Sequence, residues 1–413
     1  MAGISSKSTS GSWLNATLND FVCDCRINLT IVTVGRVKSI KAVKENNVTY
    51  CILPGGFPVE YNYKKKSNKK YWRYVNEKYK PDIIHIWGTE YTPGYLGLLT
   101  MKNVPSVVYM QGLLESLSRY YLAGMNKREL LKSITIRDIL KYDWITKRQK
   151  KITKRSKIEA EIIKISGNVI VENKWCSAHC LSLFDKCQIY KCALNIRGEY
   201  FDEIWDKNKV CSYTIMSNAA GYPIKGLHVL LKALRFVLLK YPEARLYIPG
   251  ENNPFTKTLL EVIKENGYTK YIKTIIKEYG LINNVIFMGR LSAEQMARQM
   301  AVTNVFVVPS CIENHSSTLI EAMVVGVPCI ASYVGGIPEY LKHNENGLLY
   351  RFEEYEMLAE HIKEIFSDID YAATLGGNAR LSARITRSSV NIKENLISIY
   401  ENVINKSEEI QSR

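Results

Sequence analysis

A chain of 413 residues exceeds one ordinary core and fits two domains of roughly 200 residues each. Its hydrophobic fraction of 46% and aromatic fraction of 10% exclude the disordered and fibrous classes, and no apolar run nears the roughly 18 residues of a membrane span. The net charge of +16 is unevenly held, since residues 1–200 carry 33 Lys and Arg against 16 Asp and Glu, whereas residues 201–413 carry 23 against 24.

Read from the N-terminus, residues 1–10 are polar and lack the apolar core of a signal peptide. Gly11-Ser12-Trp13 then opens a helix. A Rossmann-like half begins instead with an apolar strand, a glycine-containing turn and a helix. The first strand is therefore missing, by truncation or because another segment fills the sheet edge. Short β-branched runs predict strands at 27–34, 48–53, 83–87, 106–110 and 168–171. Between them lie two basic runs, Lys64-Lys65-Lys66 with Lys69-Lys70, and 147–157. No zinc-finger, RRM or KH signature accompanies them, which argues against nucleic acid. An anionic membrane surface or a phosphate-bearing acceptor fits better, and a solvated basic face without a partner is the plain alternative. His85 and Glu90 are placed at the end of one strand and Gln111 at the next, where open parallel sheets bind ligands; a histidine such as His85 is more often a core or supporting residue than a catalyst.

The ten cysteines are scattered without paired spacing, which predicts reduced thiols and a cytosolic protein. Cys176, His179 and Cys180 supply at most three metal ligands from one helical turn, so a partly buried helix face is the simpler reading. A polar stretch at 195–209 and the change of charge place a boundary near residue 200.

The βαβ alternation then repeats, with strands expected at 212–217, 244–249, 284–288, 305–308 and 328–331, and helices at 227–239, 355–366 and 388–404. Lys225-Gly226 opens the first of these helices, where the lysine can neutralise a diphosphate. The segment 305–350 reads VFVVPSCIENHSSTLIEAMVVGVPCIASYVGGIPEYLKHNENGLLY. Its strand ends at Pro309-Ser310, and a loop through Glu313-Asn314-His315-Ser316-Ser317 enters a helix near Thr318. Serine and threonine there can cap the helix, whose amides and dipole form a diphosphate site. Glu321, placed in the first turn, can accept the hydroxyl pair of a ribose or simply supply favourable charge. Glu313, eight residues earlier, can hold sugar hydroxyls.

This segment resembles glycosyltransferase family four, with its Glu-x7-Glu motif at Glu313 and Glu321 and the flanks Ala322, Met323, Gly326, Pro328, Gly335-Gly336, Pro338-Glu339 and Asn346-Gly347. The resemblance covers most of 205–404 and, more weakly, 11–200. It implies a GT-B fold, two Rossmann-like doubly wound α/β domains facing a cleft. Residues 1–200 would be the acceptor side, 201–387 the donor domain, and 388–413 a helix packing back on the first. It also implies a retaining, metal-independent transferase without a cofactor, using a nucleotide diphosphate sugar as co-substrate. Glu313 and Lys225 would be catalytic. Glu321, Lys225, Asn314, His315, Ser316, Ser317, Thr318, Gly289, Arg290 and Leu291 would bind the donor, with Gly11 and Ser12 as the glycine loop over its phosphates. His85, Glu90 and Gln111 would face the acceptor, a saccharide or lipid-linked saccharide at the inner face of a membrane.

One departure stands out. Family members commonly carry an arginine five residues before the lysine, and here that position is Ala220; Arg290 is a candidate substitute. The departure keeps open a binding protein that retained the fold and lost the reaction. A nicotinamide-dependent oxidoreductase is a third reading, favoured only by the generic βαβ pattern and opposed by the lack of a convincing GxGxxG after any predicted strand. Asp368-Ile369-Asp370 imitates a DxD metal motif but lies between helical patterns, where capping is expected.

Overall fold

The computed structural model describes residues 12–22, 24–58, 61–219, 221–250, 253–255, 258, 264–387 and 389–411. The chain divides into two compact units. One groups Met1–Glu115, Lys154–Asn195 and Arg387–Arg413; the other groups Ser116–Thr153 and Ile196–Thr386. The passage at Asn195 lies close to the composition change near residue 200. The stretch 116–153 departs from its position in the sequence and belongs with the second unit, because its Tyr121, Met125 and Ile145 are buried in that unit's main apolar cluster. His228 Nε2 also lies 2.9 Å from the Ala123 carbonyl.

The first unit holds two sheets, in the orders β1-β3-β2 and β4-β5-β6-β7. In the first sheet β1 (Leu29–Gly35) runs parallel to β3 (Val48–Pro54), and β2 (Lys41–Glu45) is the antiparallel arm of a hairpin with β3. In the second sheet β4 (Ile84–Trp87), β5 (Ser106–Tyr109), β6 (Asn168–Val171) and β7 (Gln188–Lys191) are all parallel. All four residues of β5 are buried, as a parallel strand covered on both faces requires. The helix Ser12–Val22 is the first described element, and among the described residues β1 pairs with β3 alone. Ile392, Leu396, Ile399 and Val403 of the C-terminal helix Ser389–Gln411 share a buried cluster with Phe21, Val107, Tyr109 and Ile170.

The second unit is built on one six-stranded parallel sheet in the order β10-β9-β8-β11-β12-β13. Its strands are β8 (Cys211–Met216), β9 (Arg245–Pro249), β10 (Val285–Gly289), β11 (Thr303–Val308), β12 (Cys329–Ser332) and β13 (Leu348–Tyr350). Strand order reverses between β8 and β11. Open α/β sheets bind ligands beyond the carboxyl ends of the strands at such a switch point. All six residues of β11 are buried, and the helices Leu227–Leu238 and Ser317–Val325 start from the loops that follow β8 and β11.

Candidate active site

The loops at the switch point are tied together by main-chain geometry. After β8, a short turn Pro223–Lys225 ends at Gly226, whose φ of 75° is the left-handed conformation that favours glycine. A Cβ at Gly226 would stand 1.7 Å from the Pro309 carbonyl oxygen, so the loops after β8 and β11 approach as closely as backbones can. The Cys311 amide donates to the Ile224 carbonyl at 2.8 Å and fixes their register.

This approach brings Lys225 to Glu313, 88 positions away in the chain. Lys225 Nζ lies 2.6 Å from Glu313 Oε1, which also accepts from Ser310 Oγ at 2.7 Å. The lysine side chain is 29% exposed and the glutamate 9%. Burial works against the ammonium, the Glu313 carboxylate together with Tyr222 outweighs it, and the lysine is pushed up to about 12. The Glu313 carbonyl is gripped from the opposite side by the Gly336 amide at 3.0 Å, and a Cβ at Gly335 would come within 1.8 Å of the same oxygen. The resembling glycines therefore serve to let 335–336 lie directly against the Glu313 loop.

The helix begins at Ser317, one residue earlier than expected, with Ser316 as its N-cap. The expected capping is corrected, because no side-chain hydrogen bond from Ser316 closes the helix entrance. The Ser316 amide instead donates to the Tyr340 hydroxyl at 3.2 Å, and the His315 ring lies 6.1 Å from that of Tyr340. Asn314 and Ser316 are buried, while Ser317 and Thr318 are half-buried. The earlier start also moves Glu321 out of the first turn into the second. There it is buried and ion-paired to Arg197 at 2.9 Å, with Arg197 Nη2 donating to the Tyr200 hydroxyl at 2.6 Å. Burial raises the Glu321 carboxyl above its usual range, and Arg197 opposes that rise. Arg197 and Tyr200 were not foreseen, since 124 positions separate Arg197 from Glu321.

Gly289 ends β10 with a φ of 68°, and its carbonyl accepts from the Gly250 amide at 2.7 Å. Arg290 is exposed there, two strands from β8, and Leu291 packs on the core. Ser12 heads the first helix, whereas Gly11 and Ala220 lie outside the described residues.

In the first unit, Glu90 and Gln111 flank Gly88 at the ends of β4 and β5, and Glu90 accepts from the Gly112 amide at 3.0 Å. His85 lies inside β4 rather than at its end, which corrects its expected acceptor-side place. Its Nδ1 is 2.7 Å from the Tyr400 hydroxyl, its ring stacks on Trp87 at 4.2 Å, and burial pulls it down to about 3. It is a half-buried histidine packed between Trp87 and Tyr400, where burial disfavours its charged form.

Glu159 is the carboxylate that sequence reasoning missed here. It sits on the basic helix Ile145–Ser166 yet is fully buried. It accepts from Thr89 Oγ1 at 2.5 Å and from the amides of Leu114 and Glu115 at 3.1 and 3.2 Å. One side chain thus clamps the loops after β4 and β5. Burial pushes it up to about 7 from 4.5, against these hydrogen bonds. A folded state with the higher value binds more protons between pH 4.5 and 7, so this group's contribution to stability falls as pH rises through that window. Glu159→Gln is expected to remove that slope, a swing of about 2–3 kcal/mol relative to wild type, measured by urea unfolding from pH 5 to 8. Parallel pH profiles for the two proteins would refute it.

Among the described residues no group of three or more His, Cys, Asp or Glu side chains is gathered as a metal site. Cys176 and Cys180 are buried in the helix Lys174–Leu183, and the His179 ring lies 4.5 Å from that of Trp175. Asp368 Oδ1 accepts from the amides of Asp370 and Tyr371 at 3.1 and 2.9 Å, capping the helix Ile369–Thr386.

A buried Glu-x7-Glu pair thus lies at the switch point of a parallel sheet, its first glutamate on a lysine from the neighbouring loop. Residues 203–382 match the model of the family described as glycosyl transferases group 1. Spore coat protein SA of Bacillus subtilis is 28% identical over 182 residues, 43% of this chain and 46% of that protein. The GDP-mannose-dependent alpha-(1-6)-phosphatidylinositol monomannoside mannosyltransferase of Mycobacterium tuberculosis is 27% identical over 174 residues, 40% of this chain and 42% of that one. The matched stretch thus spans less than half the length of these relatives. Sucrose-phosphate synthase from Thermosynechococcus elongatus has a TM-score of 0.67 at 20% identity, covering 92% of this chain and 90% of its own. Anabaena Alr3699/HepE in complex with UDP has a TM-score of 0.67 at 15% identity, covering 96% and 98%. These likenesses show the GT-B fold.

Proposed function

We propose that the protein is a retaining glycosyltransferase that moves a sugar from a nucleotide diphosphate donor to a saccharide or lipid-linked acceptor in surface polysaccharide or glycan biosynthesis. The reading places it in the cytoplasm, peripherally at the inner face of the membrane. The observation that carries it is the Lys225–Glu313 pair, 2.6 Å apart at the strand-order switch. An ammonium held charged beside a helix entrance is suited to receive a diphosphate, exchanging one anionic partner for another.

On this reading Lys225 and the amides at the start of Ser317–Val325 stabilise the negative charge that develops on the departing diphosphate. Glu313, released from the lysine, holds sugar hydroxyls. Glu321, fixed by Arg197, accepts from the ribose. The leaving phosphate takes the proton of the acceptor hydroxyl, so no side chain is assigned as base. With the phosphate charge met by Lys225 and amides, no metal is required. Glu90 and Gln111 face the acceptor. Two of the similar proteins are named with nucleotides, GDP-mannose in one case and UDP in the other, and these are the first bases to test.

The test is a thermal-shift panel of UDP, GDP and ADP with their sugar forms, each with excess EDTA. One nucleotide class is expected to raise the melting temperature, since a ligand at a hundred times its Kd adds about 2.7 kcal/mol to the folded state. Glu321→Ala is expected to abolish the shift. No shift with any nucleotide would defeat the reading. A shift without donor turnover would favour the binding-protein alternative, and a shift that needs divalent metal would defeat metal independence.

A further inference from the structure

The stretch 127–151 carries nine Lys and Arg against three acidic residues. The acids are all engaged by the protein. Glu129 accepts from the Tyr271 hydroxyl, Asp138 is buried against Arg137 at 3.0 Å, and Asp143 is paired to Lys151 at 2.7 Å and Arg148 at 3.2 Å. Two short helices, Lys127–Ser133 and Ile136–Leu140, are pinned by their inner side. Thr135 Oγ1 donates to the Glu265 carbonyl at 3.0 Å, and Lys270 Nζ donates to the Ile134 carbonyl at 2.9 Å.

The second of these helices turns an apolar face outward, and the first exposes one leucine among its cations. Leu131 is 70% exposed, Ile136 71%, Ile139 62% and Leu140 78%. Ile136, Ile139 and Leu140 stand at i, i+3 and i+4, one face of the helix, while Asp138 between them points inward and is 1% exposed. Tyr142 follows at 58% exposure, held outward by a φ of 50°, with Lys147 over its ring at 4.0 Å and Trp144 edge-on at 4.7 Å. Exposed Lys127, Arg128, Lys132 and Lys141 surround these residues in the chain. Five large apolar side chains held in water within twelve positions are unfavourable for an isolated domain. Apolar side chains flanked by lysines, with tyrosine and tryptophan beside them, match the boundary between headgroups and acyl chains.

We propose that residues 131–142 form a tip that inserts into an anionic lipid surface, the cations around it meeting headgroup phosphates. The proposal deepens the membrane part of the function proposed above and is independent of sugar transfer. Its test is sedimentation of the full chain with vesicles of phosphatidylcholine alone and of equal parts phosphatidylcholine and phosphatidylglycerol, at low and high salt. Wild type is expected to bind the anionic vesicles at low salt and to ignore the neutral ones.

The triple variant Leu131→Ser, Ile139→Ser, Leu140→Ser is expected to bind about tenfold more weakly or worse. A second variant, Lys132→Glu with Lys141→Glu, guards against misfolding of the first and is expected to lose binding as well. Wild type that ignores anionic vesicles overturns both the tip and the membrane reading. Wild type that binds while both variants bind equally well overturns the tip alone. A dimer in ultracentrifugation that the apolar variant abolishes, with vesicle binding unchanged, overturns it in favour of self-association. The nucleotide thermal shift of the same samples reports separately on the transferase reading.

Discussion

Lys225→Ala is expected to lower donor turnover about 10²–10³-fold, comparable with removing one preorganised donor from a site that stabilises developing negative charge. The ammonium already sits beside an anion, 2.6 Å from Glu313, and this pairing keeps it charged and oriented before any donor arrives. Charge on the diphosphate grows as its bond to the sugar breaks, so the loss is expected mainly in kcat, with a smaller rise in KM. Release of nucleotide diphosphate from the donor without acceptor supplies the assay. Lys225→Arg is expected to rescue poorly, because a planar guanidinium presents its charge differently from a compact ammonium. Glu313→Gln separates two roles. If Glu313 only neutralises the resting lysine, the variant binds nucleotide at least as well and turns over normally; if it holds the sugar, nucleotide binding survives and turnover is lost. The present reading expects the second result. A Lys225→Ala protein retaining a third of wild-type turnover would sink the assignment.

What the sequence disclosed about this site was what lies close together in the chain. Glu313 and Glu321 sit on one loop and the helix it enters, and their spacing survives folding whatever else the protein does. Five of the six strands described in the second unit were legible because buried parallel strands are continuous β-branched runs; β11 is the clearest instance, whereas the three-residue β13 was not expected. Partnerships across the chain were not legible. Nothing local in Arg197 signals that it will hold Glu321, and no pattern near Lys225 names Glu313. β2, with the sequence KAVKE, was missed because all five of its residues are exposed and the hairpin with β3 alone makes it a strand.

Two further differences have readable causes. His85 alternates with Ile86 along β4, and the period of two places His85 and Trp87 on the face that meets Tyr400, whereas Ile86 enters the opposite cluster. Glu159 was hidden by the lysines around it. Its helical phase was nonetheless available, since Ile152, Ser156, Glu159 and Ile163 recur at spacings of three and four and all turn away from solvent. A carboxylate in phase with the apolar stripe of an otherwise basic helix was the signal to follow.

Arg387→Ala is expected to destabilise the first unit by about 3–5 kcal/mol, the usual consequence of leaving one member of a buried ion pair alone. Arg387 and Glu172 are 2.9 Å apart with side-chain exposures of 8% and 4%. Glu172 Oε2 also accepts from the Leu194 amide at 3.3 Å, and Arg387 Nη1 donates to the Leu194 carbonyl at 3.2 Å. The pair therefore joins the residue after β6, the segment leaving β7 and the point where the chain returns to the first unit. Thermal and urea unfolding of Arg387→Ala measure the loss. Much of it reflects the stranded Glu172 carboxylate rather than the attraction itself. Adding Glu172→Gln to Arg387→Ala is therefore expected to recover part of the stability, so that the double variant is less damaged than the sum of the singles. Additive losses would mean that the two side chains act independently despite their contact. A loss below about 1 kcal/mol in Arg387→Ala would place the pair among exposed bridges of little weight, and its burial would then have no energetic role.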